Sequence, residues 1–159
     1  MKILLTTLLL SGFMCFTKAQ APTAAALLKT LKCTQADCAN NAFAADNYVR
    51  VMPDSVKDDL VYYIYKPAKA AAKDLNSIIV DAKKYNSTYI TSVNNNYEDL
   101  VKGFKDLGYE SMGEYEDLEL EGKVVDIWKL APANDYTLLV TIIFYKEEGV
   151  YLFSIVSGS

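Results

Sequence analysis

The chain has 159 residues, of which 20 are acidic, 16 are basic and none is histidine, so its formal net charge is −4 at neutral pH. An acidic chain repels phosphate backbones, which disfavours nucleic acid as a partner. The lack of histidine excludes Ser-His and Cys-His catalytic pairs, and no cofactor-binding glycine motif is present.

The first 19 residues have the order of a secretory signal peptide. Lys2 is basic, an apolar run of about 14 residues follows from Ile3 to Phe16, and Thr17-Lys18-Ala19 places small residues before a cut at Gln20. The run is shorter than the roughly 20 residues that a membrane-spanning helix needs. We therefore expect a secreted or periplasmic (cell-envelope) protein with no transmembrane segment and a single mature domain over 20–159.

Two alternatives to cleavage stay open at the N-terminus. One is a buried helix or membrane anchor. The other is a lipoprotein that carries its lipid on Cys15, although Phe13 and Met14 are bulkier than the residues usual before such a cysteine. Cleavage before Gln20 leaves 14 basic and 20 acidic residues, a net charge of −6.

The mature chain keeps two cysteines, Cys33 and Cys38. In an oxidising compartment we expect them to form a structural disulfide, worth about 2 kcal/mol because the loop is small. A zinc site is the rival interpretation, but two thiols without histidine make a poor tetrahedral site, and we predict no metal. A redox-active pair would more often have the C-x-x-C spacing.

The first half of the mature chain contains helix signals followed by strand signals. Pro22 to Lys32 is predicted as an amphipathic helix, and Thr34 can cap a second helix just after it. Val61 to Lys66 and Ser87 to Val93 are predicted strands.

The segment from Ala68 to Lys84 has two interpretations. Comparison with the second half of the chain favours a strand over Asn76 to Lys83. The alanine and lysine content instead favours one long helix over the whole segment.

The second half has a clearer pattern. An apolar stripe predicts a helix from Tyr97 to Leu107, with Asn96 as its cap and Gly108 as a left-handed stop. Gly149 suits the turn of a hairpin. Strands are predicted at 109–118 (the weakest), 124–130, 136–145 and 150–156.

The two halves resemble each other. Phe43 and Tyr48 precede Phe104 and Tyr109 by the same 61 residues, and other elements align at offsets of 62 to 64. We predict an α+β fold made by tandem duplication (repeats of about 34–93 and 95–157). Each unit would have one helix and a three- to four-stranded antiparallel sheet, with the helices on one sheet face and an extra N-terminal helix.

The alternative is that two unrelated α+β segments align because their gaps were chosen freely.

The duplicated layout with its small cysteine loop resembles, in architecture only, secreted β-lactamase inhibitor proteins. That resemblance implies no site residue.

Tyrosine is the residue type that best suits a binding surface, because it combines a large apolar ring with a polar tip. Five of the twelve tyrosines are predicted to lie on strands as a possible binding surface: Tyr62, Tyr63, Tyr65, Tyr89 and Tyr151. The alternative is that they complete the core. Two possible glycosylation sites are Asn86, in an Asn-Ser-Thr sequence, and Ser55, in an Asp-Ser-Val sequence.

A run of carboxylates is the strongest enzyme candidate. It crowds six acidic residues into twelve positions: Glu110, Glu114, Glu116, Asp117, Glu119 and Glu121. Paired carboxylates could serve glycoside hydrolysis, whereas the plainer interpretation is a solvated strand edge.

Our leading functional hypothesis is a non-enzymatic exported binding protein with a protein or saccharide partner. The alternatives are a structural or assembly component of the envelope and, less favoured, a carboxylate-based hydrolase.

Overall fold

The computed structural model describes residues 21–51, 55–57, 60–69, 75–82, 84, 86–120, 123–133 and 137–157. The predicted signal peptide lies outside these residues. The helices are α1 (Ala24–Thr30), α2 (Ala36–Phe43) and α3 (Asn94–Asp106), with a 3₁₀ turn at Ala44–Asp46.

The helices begin and end for local reasons. The Thr23 hydroxyl accepts a hydrogen bond of 3.2 Å from the backbone N–H of Ala26 and so caps α1. After the 3₁₀ turn, Asn47 adopts a left-handed φ of 57°, a conformation that asparagine tolerates better than most residues. Gly108, just after α3, does the same with a φ of 85°.

The strands are β1 (Tyr48–Arg50), β2 (Ser55–Lys57), β3 (Leu60–Pro67), β4 (Asn76–Asp81), β5 (Asn86–Thr91), β6 (Tyr109–Leu120), β7 (Lys123–Pro132), β8 (Leu138–Tyr145) and β9 (Val150–Ser157). They form one antiparallel sheet in the order β1-β3-β4-β5-β9-β8-β7-β6, and β2 pairs with β3. The strand interpretation of 76–83 is confirmed by β4.

The sheet has two chemically different faces because side chains alternate along each strand. The covered face carries the strand side chains that share one core with the helices; at its centre are Tyr65, Ile78, Tyr89, Phe153 and Ile142. From the helices, the fully buried contributions to this core include Leu27, Phe43, Leu100 and Phe104.

We call the other side of the sheet the open face. Its side chains alternate with those of the covered face, and in the described part of the chain none of them belongs to the core that the helices join.

The predicted fold class was wrong. The structure is mostly a single antiparallel sheet with short helices, not an α+β tandem duplication of helix-packed units. Two findings explain the error. Strands make up most of the structure: the sheet follows eight strands in order, with β5 paired to β9 along six residues from Asn86↔Val156 to Thr91↔Tyr151. The helices α1 and α2 have only seven and eight residues, too few to cover separate units.

Candidate functional site

The predicted tyrosine surface does not form, because the five residues are divided between the two faces. Tyr63, Tyr65 and Tyr89 are buried in the core of the covered face, with 9%, 1% and 0% of their surfaces exposed. Tyr151 is half-buried at the edge of that core, and Tyr62 is half-buried on the open face. These positions bring only Tyr62 to the open face.

Two of the buried tyrosines belong to a polar network beneath the helices. Asn96 of α3 donates a hydrogen bond of 3.1 Å from Nδ2 to the Tyr89 hydroxyl, and the Tyr48 hydroxyl donates one of 2.8 Å to Asn76 Oδ1. Burial raises the pKa of Tyr48 far above the ordinary tyrosine value, and it also raises the pKa of Tyr89. A neutral tyrosine in a core donates and accepts hydrogen bonds through its hydroxyl. This network therefore stabilises the folded state.

The open face has a different chemistry. An apolar row crosses its four middle-to-late strands: Ile90 of β5 lies opposite Leu152 of β9, which faces Ile143 of β8, which faces Ile127 of β7. All four side chains keep part of their surface exposed to solvent. They therefore make a continuous apolar surface rather than a scatter of single residues.

A parallel row of small hydroxyl residues lies beside the apolar row. Thr88 of β5 is opposite Ser154 of β9, and Ser154 is opposite Thr141 of β8. Two residues of strand separate the two rows, which is a spacing of about 7 Å. We call these the apolar row and the hydroxyl row. Among the side chains that the structure describes on this face, the charged ones include Lys129, which ends the hydroxyl row on β7, Lys66, which is exposed on β3, and Asp81, which is buried at the end of β4.

The sequence analysis missed this surface. The signal was the alternation of Ile or Leu with Thr or Ser in the strands around Ile90, Ile143 and Leu152. Alternation of this kind defines two faces but does not say which one the helices cover.

A second exposed cluster lies at the margin of the covered face. The Tyr97 and Tyr151 rings stack with centroids 4.2 Å apart, and Phe144 stacks on Tyr151 at 4.5 Å. Trp128 lies 6.3 Å from Tyr97, and the Tyr151 hydroxyl donates a hydrogen bond of 2.9 Å to Asn94 Oδ1. We call these four rings the aromatic cluster. All four are half-buried, so they fasten α3 to the sheet and keep part of their surface in water.

The acidic run lies mainly in β6. This strand pairs with β7 and ends the strand order, and its register shifts between Ser111 and Glu114 and between Tyr115 and Leu118. Glu110 is exposed, while Glu121 lies outside the described residues. A charged edge strand discourages pairing with other chains, and β6 has the position for that role.

The structure gives the positions of the predicted disulfide and of the two predicted glycosylation residues. Cys33 and Cys38 form a disulfide just before and within α2. Asn86 lies at the start of β5, where it faces Asp81 of β4 and Val156 of β9, and its Oδ1 is buried. Ser55 begins β2.

Two further findings concern the described ranges only. No helix in them is both long and apolar enough to cross a bilayer. No group of three or more histidine, cysteine, aspartate or glutamate side chains in them could hold one metal ion.

Comparison with known proteins gives no relative. No family model, no curated protein and no solved structure matches the chain. The argument about function therefore depends on the surfaces described above.

Proposed function

We propose that the mature chain is an exported, non-enzymatic interaction protein that binds another protein surface through its open face. The observation that carries this proposal is the apolar row, four partly exposed Ile and Leu side chains that adjoin one another across four strands. Continuous apolar surface of this kind marks interaction sites in folded proteins.

The residues just after the predicted cut belong to the folded domain, as the export part of the proposal requires. Ala21 is 6% exposed, and the Thr23 backbone N–H donates a hydrogen bond of 2.8 Å to Asp46 Oδ2. Mass spectrometry of the protein recovered from the envelope or medium should give a chain that starts at Gln20. Recovery of the intact precursor would contradict export by cleavage.

Binding is tested with one substitution in the apolar row and one control outside it. Leu152→Lys places a charge in the centre of the open face, whereas Leu107→Lys changes a side chain that is 49% exposed at the end of α3. Each immobilised protein is incubated with envelope extract or with purified mature chain. We expect Leu152→Lys to lose the bound protein and Leu107→Lys to retain it. Equal retention by all three proteins would exclude the open face.

The aromatic cluster supports a second candidate, saccharide recognition, because sugars bind to ring faces flanked by polar groups. Trp128 is the only tryptophan, so its fluorescence reports directly on this surface. Under this candidate, envelope polysaccharides should change the fluorescence of the wild type and of Tyr62→Ala, but not of Tyr151→Ala. An unchanged spectrum at saturating polysaccharide would exclude it.

A further inference from the structure

Two tyrosines of the aromatic cluster are in direct ring contact, although they lie far apart in the chain. Tyr97 belongs to α3 and Tyr151 to β9. Their rings stack with centroids 4.2 Å apart and an angle of 16° between the ring planes. Carbon atoms of one ring therefore lie over the other ring, near the separation from which two well-oriented groups react.

The neighbours of Tyr151 hold its ring in this position. Phe144 stacks on it with centroids 4.5 Å apart and an angle of 21°. Two rings that are this close to a third ring, and nearly parallel to it, occupy its opposite faces. At the tip of the ring, the Tyr151 hydroxyl donates a hydrogen bond of 2.9 Å to Asn94 Oδ1, on the same helix as Tyr97. Since phenylalanine has no phenol to oxidise, a radical on Tyr151 meets its reactive partner at Tyr97.

An oxidant in the solvent can reach this pair. Tyr97 and Tyr151 are both half-buried, so each keeps part of its surface in water. Tyr48 and Tyr89 also lie close enough for their hydroxyls to interact, but these two side chains are only 5% and 0% exposed. A large external oxidant therefore meets the stacked pair and not the buried pair.

We propose that Tyr97 and Tyr151 form an oxidative cross-linking site, at which a haem peroxidase that uses hydrogen peroxide joins the two rings into dityrosine. The new bond fastens α3 to β9 within one molecule. This inference goes beyond the proposed function and takes from it only the exported location; the chemistry of the ring pair is independent of whatever the open face binds.

The reaction balances without a further reactant. Each phenol gives up one electron and its hydroxyl proton, and the two electrons with the two protons reduce one hydrogen peroxide to two waters. The two phenoxyl radicals then form one bond between ring carbons adjacent to the oxygens. The hydrogens on those carbons move to the oxygens, which restores both hydroxyls. The product has lost two hydrogen atoms, and its cross-link is covalent.

The test uses the purified mature chain, a haem peroxidase and hydrogen peroxide. We expect the wild type to lose the mass of two hydrogen atoms, to stay monomeric and to gain dityrosine fluorescence. Tyr97→Phe and Tyr151→Phe should each yield at least about tenfold less dityrosine, because each keeps the ring stack but has a single phenol at the site. Tyr62→Phe, half-buried on the open face, is the matched control and should react like the wild type.

Peptide mapping identifies the residues that are linked, and the expected product joins the peptides that contain Tyr97 and Tyr151. Oxidation should also raise the urea midpoint of the wild type and not that of Tyr151→Phe, since a link between distant residues restricts the unfolded chain. Absence of dityrosine from the oxidised wild type, equal yields in the wild type and Tyr151→Phe, or links between molecules instead of within one would overturn the proposal.

Circular dichroism before oxidation establishes that every variant is folded. These outcomes leave the proposed function untouched, because Leu152→Lys tests the open face separately.

Discussion

The Tyr48 hydroxyl donates a hydrogen bond of 2.8 Å to Asn76 Oδ1, and the two residues are 28 positions apart in the chain. This contact joins the short edge strand β1 to β4, although β3 lies between them in the sheet. Both side chains are buried. The hydrogen bond therefore helps to hold β1, which directly follows the 3₁₀ turn, against the rest of the sheet.

Replacing Tyr48 with phenylalanine removes this donor and keeps the ring. Asn76 Oδ1 then stays buried without that partner, so we expect the free energy of unfolding to fall by about 1–3 kcal/mol. Urea denaturation measures it. Tyr62→Phe, half-buried on the open face, is the control and should change stability by less than about 0.5 kcal/mol. Equal effects of the two substitutions would contradict the role of the buried bond.

The same tyrosines predict an alkaline limit to stability. Burial raises the pKa of Tyr48 and Tyr89, so the folded state keeps both protons where the unfolded chain loses them, near pH 10. Their contribution to stability is complete below about pH 10 and declines above it, by at most about 1.4 kcal/mol per pH unit for each tyrosine for as long as its folded form stays protonated. Urea denaturation between about pH 8 and pH 11 measures the slope.

The control for this pH dependence is Tyr48→Phe, which leaves one of the two buried hydroxyls. Above pH 10, the free energy of unfolding of this variant should fall with pH about half as steeply as that of the wild type. Surface lysines are present in both proteins, so the comparison allows for their titration. Identical slopes would show that the Tyr48 proton is not the source.

The Cys33–Cys38 disulfide closes a loop between residues five positions apart. On the chain-entropy account its reduction should lower the free energy of unfolding by about 2 kcal/mol. Chemical denaturation with and without dithiothreitol measures the loss. Because the Cys33→Ala/Cys38→Ala double variant has no bond to reduce, dithiothreitol should leave its midpoint unchanged; any shift there would point to another effect of the reductant.

Close contact between α1 and α3 depends on Gly103. A Cβ at this position would lie 3.3 Å from Ala24 Cβ, tighter than an ordinary van der Waals contact. We expect Gly103→Val to lower the free energy of unfolding by about 1–3 kcal/mol, because the longer side chain pushes α1 away from the core. Thermal or urea denaturation tests it. Adding Ala24→Gly to Gly103→Val should restore part of the lost free energy of unfolding. If the effects of the two substitutions simply add in the double variant, this contact is not the cause.

The sequence predicted most elements because their signals are local. α3 was predicted at 97–107 and spans Asn94–Asp106, and β9 was predicted at 150–156 and spans Val150–Ser157. The hairpin turn before β9 contains Gly149 with a φ of 62°, as expected. Periodicity and turn glycines act over a few residues, so they can be read without knowledge of the tertiary structure. The predicted caps were wrong: α2 is preceded by Gln35 rather than Thr34, and Asn96 lies inside α3, where it bonds Tyr89.

The fold class and the candidate site were harder because they depend on distant pairings. Nothing in the local pattern around Tyr89 indicates that its strand pairs with β9 rather than ending a separate unit. Alternation along a strand is enough to place Tyr63 and Tyr65 on one face of β3 and Tyr62 on the other, as the structure has them. It does not say which face the helices cover, and three of the five predicted tyrosines therefore lie buried in the core.

The central pairing of β5 with β9 has a consequence for the order in which the chain can fold. Thr91 and Tyr151 are 60 positions apart, and Asn86 and Val156 are 70 apart, so the middle of the sheet is built from contacts of long sequence separation. Such contacts close slowly, and this one needs β9, which follows the other eight strands of the sheet in the sequence. A growing chain therefore leaves β5 with an unpaired edge until the residues of β9, from Val150 onward, have been synthesised.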